Sequence, residues 1–165
     1  MGNEINEPIG AVQAVRWLSV GAVIRGEGHV WVGDEPRSIG GDGTGPSPFA
    51  QVAGALAACT ISTLASQAKI EGIELDDCRV SVNAIAGMAT GRERPGGDLP
   101  ALADDDNIDV RIKKLSREIE VRGTLSAEDV ARLGDIAERC PVSMSIEGGI
   151  PIRTRISLVE RFSDD

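Results

Sequence analysis

Tyrosine is missing from this 165-residue chain, and its other aromatics are two tryptophans and two phenylalanines. An aromatic content of 2% leaves little from which to build a base-stacking platform, and it makes the core aliphatic. Basic residues are outnumbered, 17 against 26 acids for a net charge of −9, so the clustered lysine and arginine that a nucleic-acid backbone requires are lacking as well. Histidine occurs once and cysteine three times, at 59, 78 and 140, with no close pairing. Such a set offers neither a zinc site nor the framework of a small secreted scaffold, and no metal or cofactor is expected. The opening MGNEINEPIG lacks a basic region and a long apolar run, so it does not read as a secretory signal, and cytoplasmic residence is the expectation.

The length suits one domain over residues 1–165, enough to bury about two thirds of its unfolded surface. Residues 1–10 are expected as a flexible terminus. From Ala11 to Val32 the residues suit two or three strands, with RGEGH at 25–29 supplying a hairpin turn. GDEPRSIGGDGTGPSP, 33–48, is too rich in glycine and proline for regular structure. It ends on Ser47 and Pro48, a cap and a first helical residue, and a helix is predicted from there to Glu71, closed by Gly72. Apolar residues fall on nearly every side of it, which predicts burial all round. Val52, Leu56, Cys59 and Thr63 share one face, and Ala53, Ala57, Ile61, Leu64 and Ala68 lie around another. Residues 43–68 carry no charge, yet Gln51, Thr60, Ser62, Thr63, Ser66 and Gln67 interrupt the run, so a core helix is expected and not a membrane span.

CRVSVNAI, 78–85, alternates as a strand, and residues 87–107 read as a long loop. IDVRI and REIEV alternate around an irregular KKLS, giving one long bent strand or a pair broken near Lys114. LSAEDVARLGDIAERCPVS, 125–143, has Ser126 as cap and Asp129 three residues on, with Val130, Leu133, Ala137 and Cys140 in one apolar stripe. Pro141 is expected to stop this helix just past Cys140. IPIRTRISLVE closes the chain as a strand. The order predicts an α+β domain, antiparallel sheet packed on helices, with no internal repeat.

Two cysteines thus fall on the apolar faces of the two main helices, and if those helices pack together the thiols could meet. The commoner fate of such a cysteine is structural burial. A reactive thiol needs more, because a pKa of about 8.5 leaves few thiolates at neutrality and burial raises it further. Cys59 sits mid-helix, away from the helical dipole, so a partly buried arginine would have to help; Arg16, Arg25 and Arg37 lie in the N-terminal region. GGDGTG at 40–45 lacks the lysine of a phosphate loop and carries Asp42, so it reads as a tight turn. ADDDN at 103–107 lacks calcium-loop spacing, His29 has no triad partner at a diagnostic spacing, and Cys78 has no evident partner.

DEPRSIGGDGTGPSPFAQVAGALAACT, 34–60, and LSAEDVARLGDIAERCPVS, 125–143, resemble the two motifs of the OsmC and organic hydroperoxide resistance superfamily, in its OsmC-like redox branch. The resemblance spans about Val12 to Val159. It implies an OsmC-like fold, antiparallel sheets wrapped around two central helices in an intertwined homodimer. It implies a thiol peroxidase in which Cys59 attacks a hydroperoxide, becomes a sulfenic acid and condenses with Cys140, a dithiol of lipoyl type then reducing the disulfide. Arg25 is the first candidate for the activating arginine and Arg16 the second, with Arg37 assigned to the loop; Phe49, Gln51 and Val52 are expected at the substrate side. Members of the family carry a glutamate after the proline where this chain has Phe49, and Ala50 replaces a neighbouring one. That departure keeps open a second expectation, a small-ligand-binding or redox-sensing protein. No nucleic-acid or membrane partner is expected under either.

Overall fold

The computed structural model describes residues 11–14, 19–88 and 110–160. The expected flexible terminus at 1–10, Arg16, and residues 89–107 of the expected loop, ADDDN included, lie outside them. The chain divides into two compact units, residues 1–52 and 53–165.

The first unit is an antiparallel sheet in the order β1 (Ala11–Ala14), β2 (Ala22–Gly26) and β3 (His29–Gly33). Gly26 faces His29 across a two-residue turn, and both turn residues have positive φ, 51° at Glu27 and 79° at Gly28. That is the demand of a tight hairpin whose twist matches its strands, and Gly28 meets it without steric cost. The glycine-rich loop is irregular apart from a 3-10 turn at Arg37–Ile39.

Asp34 organises that loop. Its side chain is 2% exposed and accepts the Glu35 N–H at 2.8 Å, the Asp42 N–H at 3.2 Å, and both the N–H and hydroxyl of Thr44 at 2.9 and 2.8 Å. A side chain at Gly41 would collide with the Glu35 carbonyl, so chain and carboxylate close on each other. GGDGTG is therefore a turn built around an internal anion, as its composition suggests, and a second anion such as phosphate would meet repulsion there. The Thr44 N–H, foremost among these donors, holds the Asp34 carboxyl below its ordinary value against the upward pull of burial. A depressed folded-state value stabilises above the unfolded value of about 4, and that stabilisation is lost as pH falls through the folded one. Asp34→Asn is thus expected to melt lower than the parent at pH 7, with the gap in Tm narrowing below about pH 4; a gap that stays constant on acidification would refute the role of the charge.

In the second unit, α1 (Pro48–Glu71, its first turns belonging to the first unit) ends at Gly72, φ 71°. It is followed by β4 (Leu75–Met88), β5 (Val110–Gly123), α2 (Ala127–Glu138), α3 (Pro141–Ile146) and β6 (Ile152–Leu158). The strand order is β4-β5-β6. β4 and β5 are antiparallel, and β4 reaches two residues past Ala86, into the stretch expected to be loop. β5 and β6 run parallel, which corrects the expectation of a wholly antiparallel sheet: the connection between them carries two helices, the kind of crossover a parallel pair requires. KKLS is part of one continuous strand. Ile85 pairs with Lys114 and Ala86 with Ile112, so Lys113 is the extra residue of a bulge that shifts side-chain parity.

Beyond the bulge Leu115, Arg117, Ile119 and Val121 all point inward and are buried. Ile119 and Val121 meet Leu64 and Ala68 of α1 and Leu133, Ile136 and Ala137 of α2, an aliphatic core as the composition requires. The buried residues of α1 are Ala53, Leu56, Thr60, Leu64 and Ala68, a single stripe at steps of three and four. Burial all round is therefore corrected: among the described residues of one chain only that stripe is fully covered, its flanks being half-buried, and Ile61, expected with Leu64, is exposed. α2 begins with a complete capping box, the Ser126 hydroxyl accepting from the Asp129 N–H and the Asp129 carboxylate accepting from the Ser126 N–H. Arg132 of α2 grips Glu71 at the end of α1 through two bonds of 2.7 Å.

Candidate functional site

The expectation that Cys140 ends the second helix is corrected by its surroundings. α2 stops at Glu138, and Cys140 is the N-cap of α3, whose first residue is Pro141. Proline halts the incoming helix for want of an N–H and starts the next with a preset φ, so both events crowd into three residues. The Cys140 sulfur takes the place of a capping oxygen and accepts the Ser143 N–H at 3.5 Å.

Cys59, on α1 and half-buried, lies within hydrogen-bonding reach of fully buried Cys140. The Val142 N–H lies near both sulfurs, the Thr63 hydroxyl near Cys59 and the Thr60 hydroxyl near Cys140, each favouring a negative sulfur. Both thiols are pulled upward first by burial, but the pair is not symmetrical. Cys59 stays above the ordinary thiol value, since after burial it keeps the proton it shares with Cys140. Cys140 falls below it, because the Ser143 N–H, the Cys59 S–H, the Thr60 hydroxyl and the Val142 N–H all favour a negative sulfur there. The Ser143 N–H on its sulfur and the hydroxyl beside it therefore favour Cys140 as the thiol of the pair that ionises first. Cys78, on β4 opposite Val121, is pushed upward by burial and then by Asp77.

Behind the thiols lies Arg117, 0% exposed. Its Nη1 donates to Thr60 Oγ1 at 2.9 Å and to Ser143 Oγ at 3.1 Å; Nε and Nη2 donate to Thr154 Oγ1 at 3.1 and 2.8 Å. Glu138 Oε2 stands 3.5 Å from Nη2 with its own side chain 46% exposed. The sequence reading passed over Arg117. The signal was there, an arginine at an inward position between Leu115 and Ile119 of an alternating strand, where a charge is costly unless it is held.

The other expected site residues lie in the first unit or at its margin. Arg25 is exposed on β2, opposite Ala11 and Val30, and Arg37 donates Nε to the Asp42 carbonyl at 3.0 Å, the loop role assigned to it. Phe49, Gln51 and Val52 form the first turns of α1. The Gln51 amide is engaged at both ends, accepting from the Trp31 indole N–H at 3.0 Å and donating to the Pro46 carbonyl at 3.1 Å.

The family model of OsmC-like protein matches residues 41–155, a span holding both cysteines of the pair and Arg117. The chain belongs to the OsmC family. Among solved OsmC-fold structures it resembles a Psychrobacter arcticus 273-4 protein whose name refers to osmotic stress and detoxification, at 17% identity over 94% of this chain and 99% of that one, TM-score 0.72. An organic hydroperoxide resistance protein from Elizabethkingia anophelis aligns at 15% identity over 96% and 100%, TM-score 0.71. One from Legionella pneumophila aligns at 20% over 93% and 98%, TM-score 0.64. At such identities the likeness carries the OsmC fold. Comparison with curated proteins finds no match. In this OsmC protein α1 is the one helix among the described residues long and apolar enough to cross a membrane, and its buried stripe packs on the sheet as a core helix does.

Proposed function

We propose that this OsmC protein is a thiol-dependent peroxidase for organic hydroperoxides or hydrogen peroxide. The observation that carries the reading is the contact between the Cys59 and Cys140 side chains, a half-buried thiol beside a buried one, in a chain of this family. Cys59 sulfur attacks the distal oxygen of ROOH, the O–O bond breaks, and RO⁻ leaves to take a proton as ROH. Cys140 then displaces hydroxide from the Cys59 sulfenic acid, which departs as water after protonation, and an S–S bond joins the two residues. A small dithiol, of the lipoyl type, restores both thiols by exchange and leaves as its own cyclic disulfide. Such a cycle suits a reducing cytoplasm. We assign the working unit as a homodimer, in which the uncovered side of α1 meets the partner.

A ligand-binding or redox-sensing role is favoured instead by Phe49 where the family has a carboxylate, and by the upward pull of burial on the Cys59 thiol. One experiment separates the two. Reduced protein with dihydrolipoamide is given cumene hydroperoxide, and peroxide loss is followed in parent and Cys59→Ser. The peroxidase reading expects catalytic consumption in the parent and none above background in the variant. Equal consumption in both would end it, and no consumption in either leaves the binding role.

A further inference from the structure

Arg117 is a fully buried cation whose hydrogen bonds all run to hydroxyls, two to Thr154 and one each to Thr60 and Ser143. Hydroxyls satisfy its donors but carry no formal charge, and the one carboxylate paired with it among the described residues, Glu138, is half in solvent and 3.5 Å away. A buried guanidinium so weakly countered favours an anion close by. What lies beyond the hydroxyls is the dithiol. Thr60 follows Cys59 in the chain and its hydroxyl lies beside Cys140, favouring a negative sulfur there; Ser143 gives its backbone N–H to the Cys140 sulfur. Thr60 Oγ1 also has a single proton to place. It accepts from Arg117, and its own hydrogen serves either the Leu56 carbonyl, at 2.7 Å, or the Cys140 sulfur. Accepting from a cation makes that hydroxyl a stronger donor, so the arginine acts on the sulfur at one remove. Among the described residues, the charged groups around the pair are Arg117 from β5, which reaches it through Thr60 and Ser143, and Glu138 from α2, which faces Arg117, as does Thr154 from β6.

We propose that Arg117 is a positioning residue for the thiol pair: through Thr60 and Ser143 it holds Cys59 and Cys140 as a monoanion with the charge on Cys140, and Cys140 then serves as the base for Cys59. The inference rests on the peroxidase reading above. As Cys59 sulfur bonds to the distal oxygen of ROOH, its proton passes to Cys140; the leaving RO⁻ is protonated in turn by Cys140, which is again a thiolate when it attacks the sulfenic acid.

The test is a titration of ultraviolet thiolate absorbance in a Cys78→Ser background, with folding checked by circular dichroism. One thiolate per chain is expected to form below the ordinary thiol value of about 8.5, to persist in Cys59→Ser and to vanish in Cys140→Ser. Arg117→Met is expected to raise the midpoint by about one pH unit, tenfold less thiolate at a given pH below it, and Arg117→Lys to restore most of the shift. Thr60→Val, which keeps the shape and removes the hydroxyl, is expected to shift it in the same direction, and it decides the matter alone if Arg117→Met does not fold. An unchanged midpoint in folded Arg117→Met or in Thr60→Val overturns the inference, as does a thiolate that follows Cys59. The titration needs no peroxide, so the expected pattern without hydroperoxide consumption would sink the peroxidase reading and leave the arginine's role standing.

Discussion

In the Cys140→Ser variant, hydroperoxide loss is expected to run to about one equivalent per chain and then nearly stop, the burst of an enzyme that completes half its cycle. Serine is close in shape to cysteine at the start of α3, and its oxygen can accept the Ser143 N–H, so the fold should survive. What it cannot do is displace hydroxide from a sulfenic acid. The Cys59 sulfenic acid must then wait for a thiol from solution, and losing a partner already held in contact is expected to lower steady-state turnover by roughly 10²-fold or more at millimolar reductant. A dimedone adduct on Cys59, found by peptide mass and absent from the parent under turnover, would identify the stalled species. The burst itself separates two roles of Cys140. If it only resolves, the burst is as fast as in the parent; if it also takes the Cys59 proton, the burst slows by about 10²- to 10⁴-fold, the usual contribution of a general base. Parent-like steady-state turnover would remove Cys140 from the cycle altogether.

The elements that proved legible in the sequence are those whose ends are fixed by local chemistry. Ser47, Pro48 and Gly72 mark both ends of α1, Ser126 and Asp129 the start of α2, and Glu27 with Gly28 the hairpin. Illegible features depended on contacts distant in the chain. The uncovered side of α1 has the same small apolar residues as its covered stripe, so composition did not separate them. Pro141 stops one helix and starts another, and the two readings place Cys140 differently, one at the end of a face and the other as a cap whose sulfur receives an N–H. The parallel pairing of β6 follows from the crossover through α2 and α3, which returns the chain to run alongside β5 in the same direction, and the alternation of β6 itself does not encode it. Arg117 was hidden by the bulge at Lys113. Taking KKLS as irregular broke the count of inward and outward positions just before the residue that mattered. With the parity restarted at Leu115, an arginine falls in the core, and a buried charge on a strand facing two cysteine-bearing segments is a candidate by itself.

The uncovered side of α1 carries the second large expected effect. Gly54, Ala58, Ile61 and Ala65 lie along one line of the helix at steps of four, three and four, all exposed in the single chain, in a run without charge from 43 to 68. A helix that faces water on that side would ordinarily carry polar residues there. Ile61, 38% exposed, is the largest side chain on the line. In an isolated chain Ile61→Glu would change stability by no more than about 0.5 kcal/mol, as exposed substitutions do. In a homodimer closed over this face the same carboxylate is buried opposite apolar atoms without a partner, at a cost of several kcal/mol. The variant is therefore expected to weaken dimerisation on the order of 10²-fold or more, while Ile61→Val leaves it near the parent value. Sedimentation across a concentration series reads this directly, and the parent's Tm should rise with protein concentration where the variant's does not. A parent that sediments as a monomer would refute the homodimer. A glutamate variant as dimeric as its parent would move the interface off this side of α1, leaving its small apolar residues to be explained by packing within one chain.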